Sequence, residues 1–162
     1  MVPAAAIGLL PPDRVAAMKI EAEIAREADQ ELVDAFGRLL PQLSRSAKPL
    51  DAEAVGRILA CDANTVLVAR ADREIVGTLT LVMFPVPSGL RARVEDVVVD
   101  GAAWGHGVAG LLTREALRIA RESGARTVDL TSRPDREGAN RLYERLGFRA
   151  RESTPYRTAL DD

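Results

Sequence analysis

The sequence predicts a single α/β domain that spans residues 1–162, in which strands and helices are neighbours along the chain. Residues 65–71 and 74–84 are rich in β-branched and apolar residues and flank Asp72-Arg73, which is typical of a β-hairpin. Further along, Val97, Val98 and Val99 form a buried strand pattern that leads through glycines into an amphipathic helix. A chain of 162 residues can bury a substantial core in one domain.

The amino-terminal part is predicted to contain one strand followed by helices. Residues 5–10 fit a strand that ends at Pro11-Pro12. Apolar residues recur nearly every fourth position over residues 13–43, which predicts helix, and a break near Ala28-Asp29 divides it into two helices. Asp51 can cap a further helix that runs through Ala60.

The carboxyl-terminal part alternates between strands and helices. Residues 85–89 interrupt the chain before a strand that starts near Val94. A helix follows the glycine loop and ends at Gly124, and residues 127–131 fit another strand. The spacing Ser132-x-x-Asp135 is that of a capping box, which predicts the start of the last helix.

Composition excludes several classes of protein. The net charge of −2 gives no general attraction to nucleic acid or to acidic membranes. A single cysteine, Cys61, excludes an internal disulfide framework and favours a reducing compartment, so we expect a cytoplasmic protein. No apolar run approaches the length of a membrane-spanning helix, and the start of the chain lacks the basic residues of a signal peptide. No metal-ligand cluster or Ser–His–Asp set is evident, and no metal is expected.

The segment around Gly105 and Gly107 predicts an anion site. Glycines at the start of a helix let backbone N–H groups approach a phosphate closely. Residues 105–110 match the dinucleotide pattern G-x-G-x-x-G, with Asp129 as the candidate ribose-binding acid. That interpretation fits poorly, because five residues separate the strand from the first glycine and Asp129 lies within an apolar alternation.

Two motifs together resemble the GNAT superfamily of acyl-CoA-dependent N-acyltransferases. The cofactor signature of that family, Gln/Arg-x-x-Gly-x-Gly/Ala, falls on residues 104–109, where Gly107 and Ala109 match and Trp104 replaces the first residue. The ending L-Y-E-x-x-G-F falls on residues 142–148. The resemblance covers residues 65–149, and the two motifs are separated by one helix, one strand and a second helix.

The resemblance implies a fold and a donor. The fold is a mixed, largely antiparallel, twisted sheet with a splayed central strand pair and helices on both faces. The donor is acetyl-CoA, whose pyrophosphate is held by the glycine loop and whose pantetheine arm pairs with the exposed edge of the strand before it. The cofactor-binding residues that this predicts are Val97, Val98, Val99, Trp104, Gly105, His106, Gly107, Val108, Ala109 and Asn140.

The same resemblance implies the catalytic groups. A tyrosine at the position of Tyr143 can give a proton to the thiolate of CoA as it leaves, although an aromatic core residue is the alternative interpretation. Glu95 is the candidate general base for the amine. Strand alternation sends Glu95 and Asp96 to opposite faces, so only one of them can point into the active site.

Some positions depart from the family pattern. Arg136 occupies the place where many members carry an asparagine that contacts pantetheine, and Asn140 lies one turn later. Trp104 either covers the phosphate region or packs on the surface, while the backbone donors remain. His106, the only histidine, is expected in solvent near the phosphates.

The acceptor is predicted to be a primary amine of a small molecule. A protein amino terminus or lysine is the second choice. An interpretation of another class is a catalytically silent acyl-CoA-binding or sensor module, which the Trp104 replacement favours and the complete Tyr143 motif opposes. Nucleic acid and membrane are not expected partners, and a homodimer is left open.

Overall fold

The structure is a computed structural model that describes residues 19–161. The predicted strand over residues 5–10 lies outside the described residues. The chain divides into two units, one extending through Leu130 and the other starting at Thr131. Every strand within the described residues belongs to the first unit, and the last helix belongs to the second. The prediction of one domain over the whole chain stays a prediction.

The elements follow one another in mixed order. The strands are β1 (Ile20–Ile24), β2 (Asn64–Ala71), β3 (Glu74–Val86), β4 (Gly89–Val99) and β5 (Thr127–Asp129). The α-helices are α1 (Gln30–Leu43), α2 (Ala52–Ala60), α3 (Val108–Glu122) and α4 (Glu137–Arg145). A short 3-10 helix (Gly101–Ala103) lies between β4 and α3.

The five strands form one sheet in the order β1-β2-β3-β4-β5. Neighbouring strands from β1 to β4 are antiparallel, and only the last pair, β4 with β5, is parallel. That parallel pairing follows from the α3 crossover, which returns the chain to the same end of the sheet before β5 begins. The predicted mixed, largely antiparallel α/β fold is confirmed.

Helices cover both faces of this sheet. Alternation along β2 sends Leu67 and Ala69 to one hydrophobic cluster and Val66 and Val68 to another. The first cluster contains the buried α3 residues Val108, Leu112, Ala116 and Ala120. The second contains the buried residues of α1 and α2, which are Leu32, Ala35, Phe36, Leu39 and Val55. The sheet is therefore buried on both faces. The loop that leads into α3 begins where β4 ends, at Val99.

The prediction of helix over residues 13–43 is partly wrong. Ile20–Ile24 is a strand, because Ile20, Ala22 and Ile24 also fit a period of two and pair with β2. The break near Asp29 is confirmed, since the Asp29 carboxylate accepts a hydrogen bond from Leu32 N at 2.9 Å and caps α1. Asp51 caps α2 in the same way, accepting from Ala54 N at 2.8 Å.

Two strand boundaries differ from prediction. The chain does not break over residues 85–89, because β3 continues to Val86 and β4 already begins at Gly89. Gly89 has a φ of 122°, which lets β3 and β4 join through a tight turn. At the other end, β5 stops at Asp129 instead of residue 131.

The predicted capping box of the last helix is also wrong. Arg136 is the N-cap residue of α4, and no side chain caps that end. The Asn140 amide instead donates to the Arg133 carbonyl at 3.1 Å, which braces the segment before the helix. Ser132 Oγ is buried and has no hydrogen-bond partner among the described residues.

Candidate active site

Two glycines in the left-handed backbone region lead into α3. Gly105 has a φ of 81° and Gly107, the N-cap residue, a φ of 76°. A Cβ atom at either position would meet no protein atom within 4 Å. Glycine is therefore required here by the backbone conformation, and the space beside it is open.

The start of α3 presents unpaired backbone donors. Leu111 N donates to Gly107 O at 3.0 Å and closes the first turn, so the N–H groups of Val108, Ala109 and Gly110 precede the helical ladder. No side chain of the described residues caps this end. Together with the partial positive charge of a helix N-terminus, these donors can hold an anion.

Residues that the sequence analysis did not identify brace the loop before these glycines. The buried Asp100 accepts from Ala102 N at 3.0 Å, and Gly101 N donates to Gln42 Oε1 at 3.0 Å. An aspartate directly before Gly-Ala-Ala is a recognisable turn signal. The Gln42 contact has no local signal, because Gln42 lies 59 residues away along the chain.

The part of β4 that follows Arg93 has a free edge on the side of β5, since no strand of residues 19–161 pairs with it there. β5 pairs with β4 at only three positions, Arg91 to Arg93. Beyond them β5 ends, while β4 continues to Val99 against β3. The predicted edge, Val97 to Val99, therefore lies in the part of β4 that β5 leaves unpaired, as a splayed strand pair requires.

A β-bulge lies within this part of β4. The register of β3 against β4 shifts between Thr78 and Thr80, where β4 contains one additional residue. Asp96 has a φ of 50°, a left-handed conformation that is uncommon outside glycine and tolerated by aspartate. The expected strict alternation of Glu95 and Asp96 is therefore wrong, because the bulge interrupts the pleat at this point.

The two carboxylates at the bulge have different surroundings. Glu95 Oε1 accepts from Arg93 Nε at 3.0 Å, and both side chains are partly exposed. Burial raises the pKa of Asp96, and the negative charge of Glu95 raises it further. Asp96 as a whole residue is nevertheless exposed over more than a third of its surface.

Trp104 and His106, which flank Gly105, differ in their exposure. The Trp104 side chain lies at the surface, with 70% of the residue exposed, and its indole Nε1 donates to the Val99 carbonyl at 2.9 Å. His106, between the two glycines, is partly exposed, and its predicted place near the phosphates stays a prediction.

The second unit carries the predicted tyrosine. Tyr143 is buried on α4, and its ring contacts Phe148 edge-to-face with 5.8 Å between the ring centres. Burial raises the pKa of Tyr143, an effect that the positive charge of Arg136 partly offsets. The phenol therefore stays protonated at neutral pH, as a proton donor must. Asn140 lies one turn before Tyr143 on the same helix.

Residues 19–161 contain neither a candidate metal site nor a candidate membrane-spanning helix. No group of three or more His, Cys, Asp or Glu side chains in that part of the chain could hold a metal ion. No helix there is long and apolar enough to cross a membrane.

The chain belongs to the acetyltransferase (GNAT) family, whose profile matches residues 29–148. The match includes the glycine loop and the Tyr143 helix, so it favours the acyl-CoA interpretation of the loop over the dinucleotide one. A comparison with curated protein sequences finds no match.

Solved structures share the fold. A transcriptional regulator from Bacillus halodurans C-125 is 30% identical, covers 87% of this chain and all of its own, and has a TM-score of 0.71. An aminoglycoside acetyltransferase from an uncultured soil metagenomic sample is 20% identical and has a TM-score of 0.78. The match covers 88% of this chain and 97% of that protein. AAC(6')-Iy, solved with a CoA bisubstrate analogue, is 19% identical and has a TM-score of 0.72. The match covers 87% of this chain and 98% of that protein.

Proposed function

We propose that the protein transfers an acetyl group from acetyl-CoA to a primary amine of a small molecule. The observation that carries this proposal is the uncapped start of α3 behind Gly105 and Gly107, in a chain of the GNAT family. Backbone donors at that point can hold a pyrophosphate without any side chain, so the replacement of the usual Gln or Arg by Trp104 leaves the site functional.

The geometry of the loop and strand fits this donor. A Cβ atom at Gly107 would occupy open space, which is the space that a phosphate group needs. The N–H groups from Gly105 to Ala109 would hold the pyrophosphate, and the free β4 edge at Val97 to Val99 would pair with the pantetheine arm. Asn140 is a further candidate contact for the arm, from α4.

The chemistry needs one proton acceptor and one proton donor. Glu95 takes a proton from the ammonium group of the acceptor, directly or through water, with its carboxylate oriented by Arg93. The amine nitrogen then bonds to the acetyl carbon and the carbon–sulfur bond breaks. Tyr143 gives its phenolic proton to the departing thiolate, and its raised pKa keeps that proton in place at neutral pH. The nitrogen releases its second proton to water, from which the Tyr143 phenolate is reprotonated after the transfer.

A small-molecule acceptor is the first choice, in line with the aminoglycoside acetyltransferase that shares the fold. A protein amino terminus or lysine is the second. A silent acyl-CoA-binding module is the third; the replacement of the usual Gln or Arg by Trp104 favours it, and the 30%-identical structure is that of a transcriptional regulator. We place the protein in the cytoplasm, because its single thiol, Cys61, is free and exposed.

Thermal unfolding with and without ligand tests the proposal. Acetyl-CoA at about 100 times its Kd is expected to stabilise the fold by about 2.7 kcal/mol, whereas NAD(H) is expected to have no effect. Stabilisation by NAD(H) and none by acetyl-CoA would contradict the proposal.

Thiol release from acetyl-CoA across a set of amines then separates the candidate functions. Release with free amines supports the small-molecule enzyme, and release only with peptides supports the protein-modifying one. Binding of acetyl-CoA without release for any acceptor supports the silent module.

A further inference from the structure

The single tryptophan of the chain bonds to the strand edge that the proposed function assigns to the cofactor. Trp104 Nε1 donates to the Val99 carbonyl at 2.9 Å. Trp104 thus takes up an acceptor on the strand whose backbone is expected to pair with the pantetheine arm.

The Val99 carbonyl points to the free edge of β4. Asp100 N donates to Val76 O at 2.8 Å, so the N–H of the peptide between Val99 and Asp100 faces β3. In a trans peptide the C=O points opposite to the N–H, so the Val99 carbonyl faces away from β3. On that side β5 has already ended at Asp129.

The backbone between Val99 and Trp104 is held in place, whereas the indole is not. Asp100 caps the turn through Ala102 N, Gly101 N is bonded to Gln42, and Trp104 N donates to Gly101 O at 3.3 Å. With 70% of Trp104 exposed, the indole has little packing to lose and can leave by rotation of its side chain alone.

We propose that Trp104 is an internal competitor of the pantetheine arm: its indole N–H holds the Val99 carbonyl in the free protein and leaves it when an amide N–H of the arm pairs there. This inference rests on the proposed function, which places the arm on the β4 edge. It makes Trp104 a determinant of affinity for the pantetheine arm, separate from the phosphate contacts of the glycine loop. The hydrogen bond that is broken lowers the affinity for every ligand that carries the arm.

Two ligands distinguish the contribution of the pantetheine arm to binding affinity from that of the phosphates. CoA carries both, and the adenosine bisphosphate fragment of CoA lacks the arm. Trp104→Phe removes the indole N–H and retains an aromatic ring, so it is expected to bind CoA roughly three- to tenfold more tightly, the value of one hydrogen bond, without a change for the bisphosphate fragment. Trp104→Arg is the control for charge, and it is expected to strengthen binding of both ligands.

The tryptophan also reports its own movement. Since Trp104 is the only tryptophan, its fluorescence is free of other signals. In the wild-type protein, CoA is expected to change the emission, whereas the bisphosphate fragment is not.

Several results would overturn the inference. Equal or weaker CoA binding by Trp104→Phe, or an equal gain for the bisphosphate fragment, would show that the indole does not compete with the arm. If the wild-type protein binds CoA, either of these results overturns the inference and does not contradict the proposed function. If neither wild type nor Trp104→Phe binds CoA, the proposed function fails and the inference fails with it.

Discussion

The Arg93 guanidinium and the Glu95 carboxylate form an ion pair beside the β4 bulge, with 3.0 Å between Nε and Oε1. The next residue, Asp96, adopts a left-handed φ and has a raised pKa. Two carboxylates that are adjacent in sequence thus differ in their environment, one paired with a cation and one partly buried. This difference allows their roles to be separated by experiment.

The raised pKa of Asp96 predicts a cost in stability at neutral pH. Folding disfavours the Asp96 carboxylate, so this group destabilises the folded protein above its folded pKa, and the cost disappears as the pH falls below the ordinary aspartate value of about 3.9. Asp96→Asn, which tolerates the same φ, is expected to be more stable than wild type at neutral pH and equal to it in acid. Urea unfolding at several pH values measures this.

Asp72 supplies the control for that experiment. Its φ of 52° is close to the 50° of Asp96, and it lies in the turn between β2 and β3. Asp72→Asn therefore reports the effect of the substitution on a left-handed backbone alone. A pH-independent gain at Asp96 equal to that at Asp72 would contradict the assignment to the carboxyl pKa.

The pH dependence of turnover distinguishes the two candidate bases. If Glu95 takes the amine proton, Glu95→Gln is expected to lower kcat/KM roughly a hundredfold at neutral pH and to recover partly at high pH, where the amine is already neutral. If Asp96 is the base instead, Glu95→Gln stays active and its acidic limb moves to lower pH, because the charge that raises the pKa of Asp96 is gone. A Glu95→Gln profile that coincides with wild type would remove Glu95 as the base.

Removal of the Tyr143 hydroxyl is expected to affect turnover and not cofactor affinity. Tyr143→Phe retains the ring and its contact with Phe148, so the fold should persist while the proton donor is lost. We expect kcat to fall roughly a hundredfold or more and the Kd for CoA to stay within about twofold of wild type. Tyr156→Phe is the matched control, since Tyr156 is 93% exposed and should be silent. Full activity of Tyr143→Phe would assign that tyrosine to core packing alone.

The titration of Tyr143 can be observed directly, because the chain has only two tyrosines. In a Tyr156→Phe background, phenolate absorbance is expected to rise with a midpoint above the usual value of about 10. Arg136→Gln is expected to raise that midpoint further, since it removes a positive charge that favours the phenolate. A midpoint at or below about 10 would show that the phenol is not shielded from water.

A carboxylate beside the glycine loop is expected to prevent CoA binding. Gly107→Glu places a negative charge at the proposed pyrophosphate site and should reduce the affinity for CoA at least tenfold, measured by calorimetry. Gly124→Glu is the matched control at the other end of α3, with a φ of 84° and equally open surroundings. Both variants should lose about 1–2 kcal/mol of stability from the left-handed backbone, and only the first should lose CoA. Equal CoA affinities would place the phosphates elsewhere.

Local patterns were sufficient to predict much of this fold and site. The hairpin around Asp72, the break near Asp29, the cap at Asp51 and the stop of α3 at Gly124 depend on neighbouring residues, so they could be predicted from sequence. The glycine loop and the L-Y-E-x-x-G-F ending belong to the same category. Their roles in the reaction stay predictions.

The strand at Ile20–Ile24 shows where local pattern fails. Its apolar residues fit a period of two as well as a helical one, and pairing with β2 determined the outcome. The bulge at Asp96 likewise arises from the register of β3 against β4, which spans residues on two strands. Register is a property of the pair, so no single strand's sequence contains it.

The sequence by itself was sufficient to predict the family, the candidate anion site at the start of α3 and the candidate acid and base, because each prediction depends on residues within a few turns of one another. Only the tertiary structure decided that β5 ends opposite Arg93, that Gln42 braces Gly101, and that the Trp104 indole bonds to Val99. The physical reason is that each of these features depends on strand direction and on which strand edge is exposed. Those properties exist only once the sheet has formed.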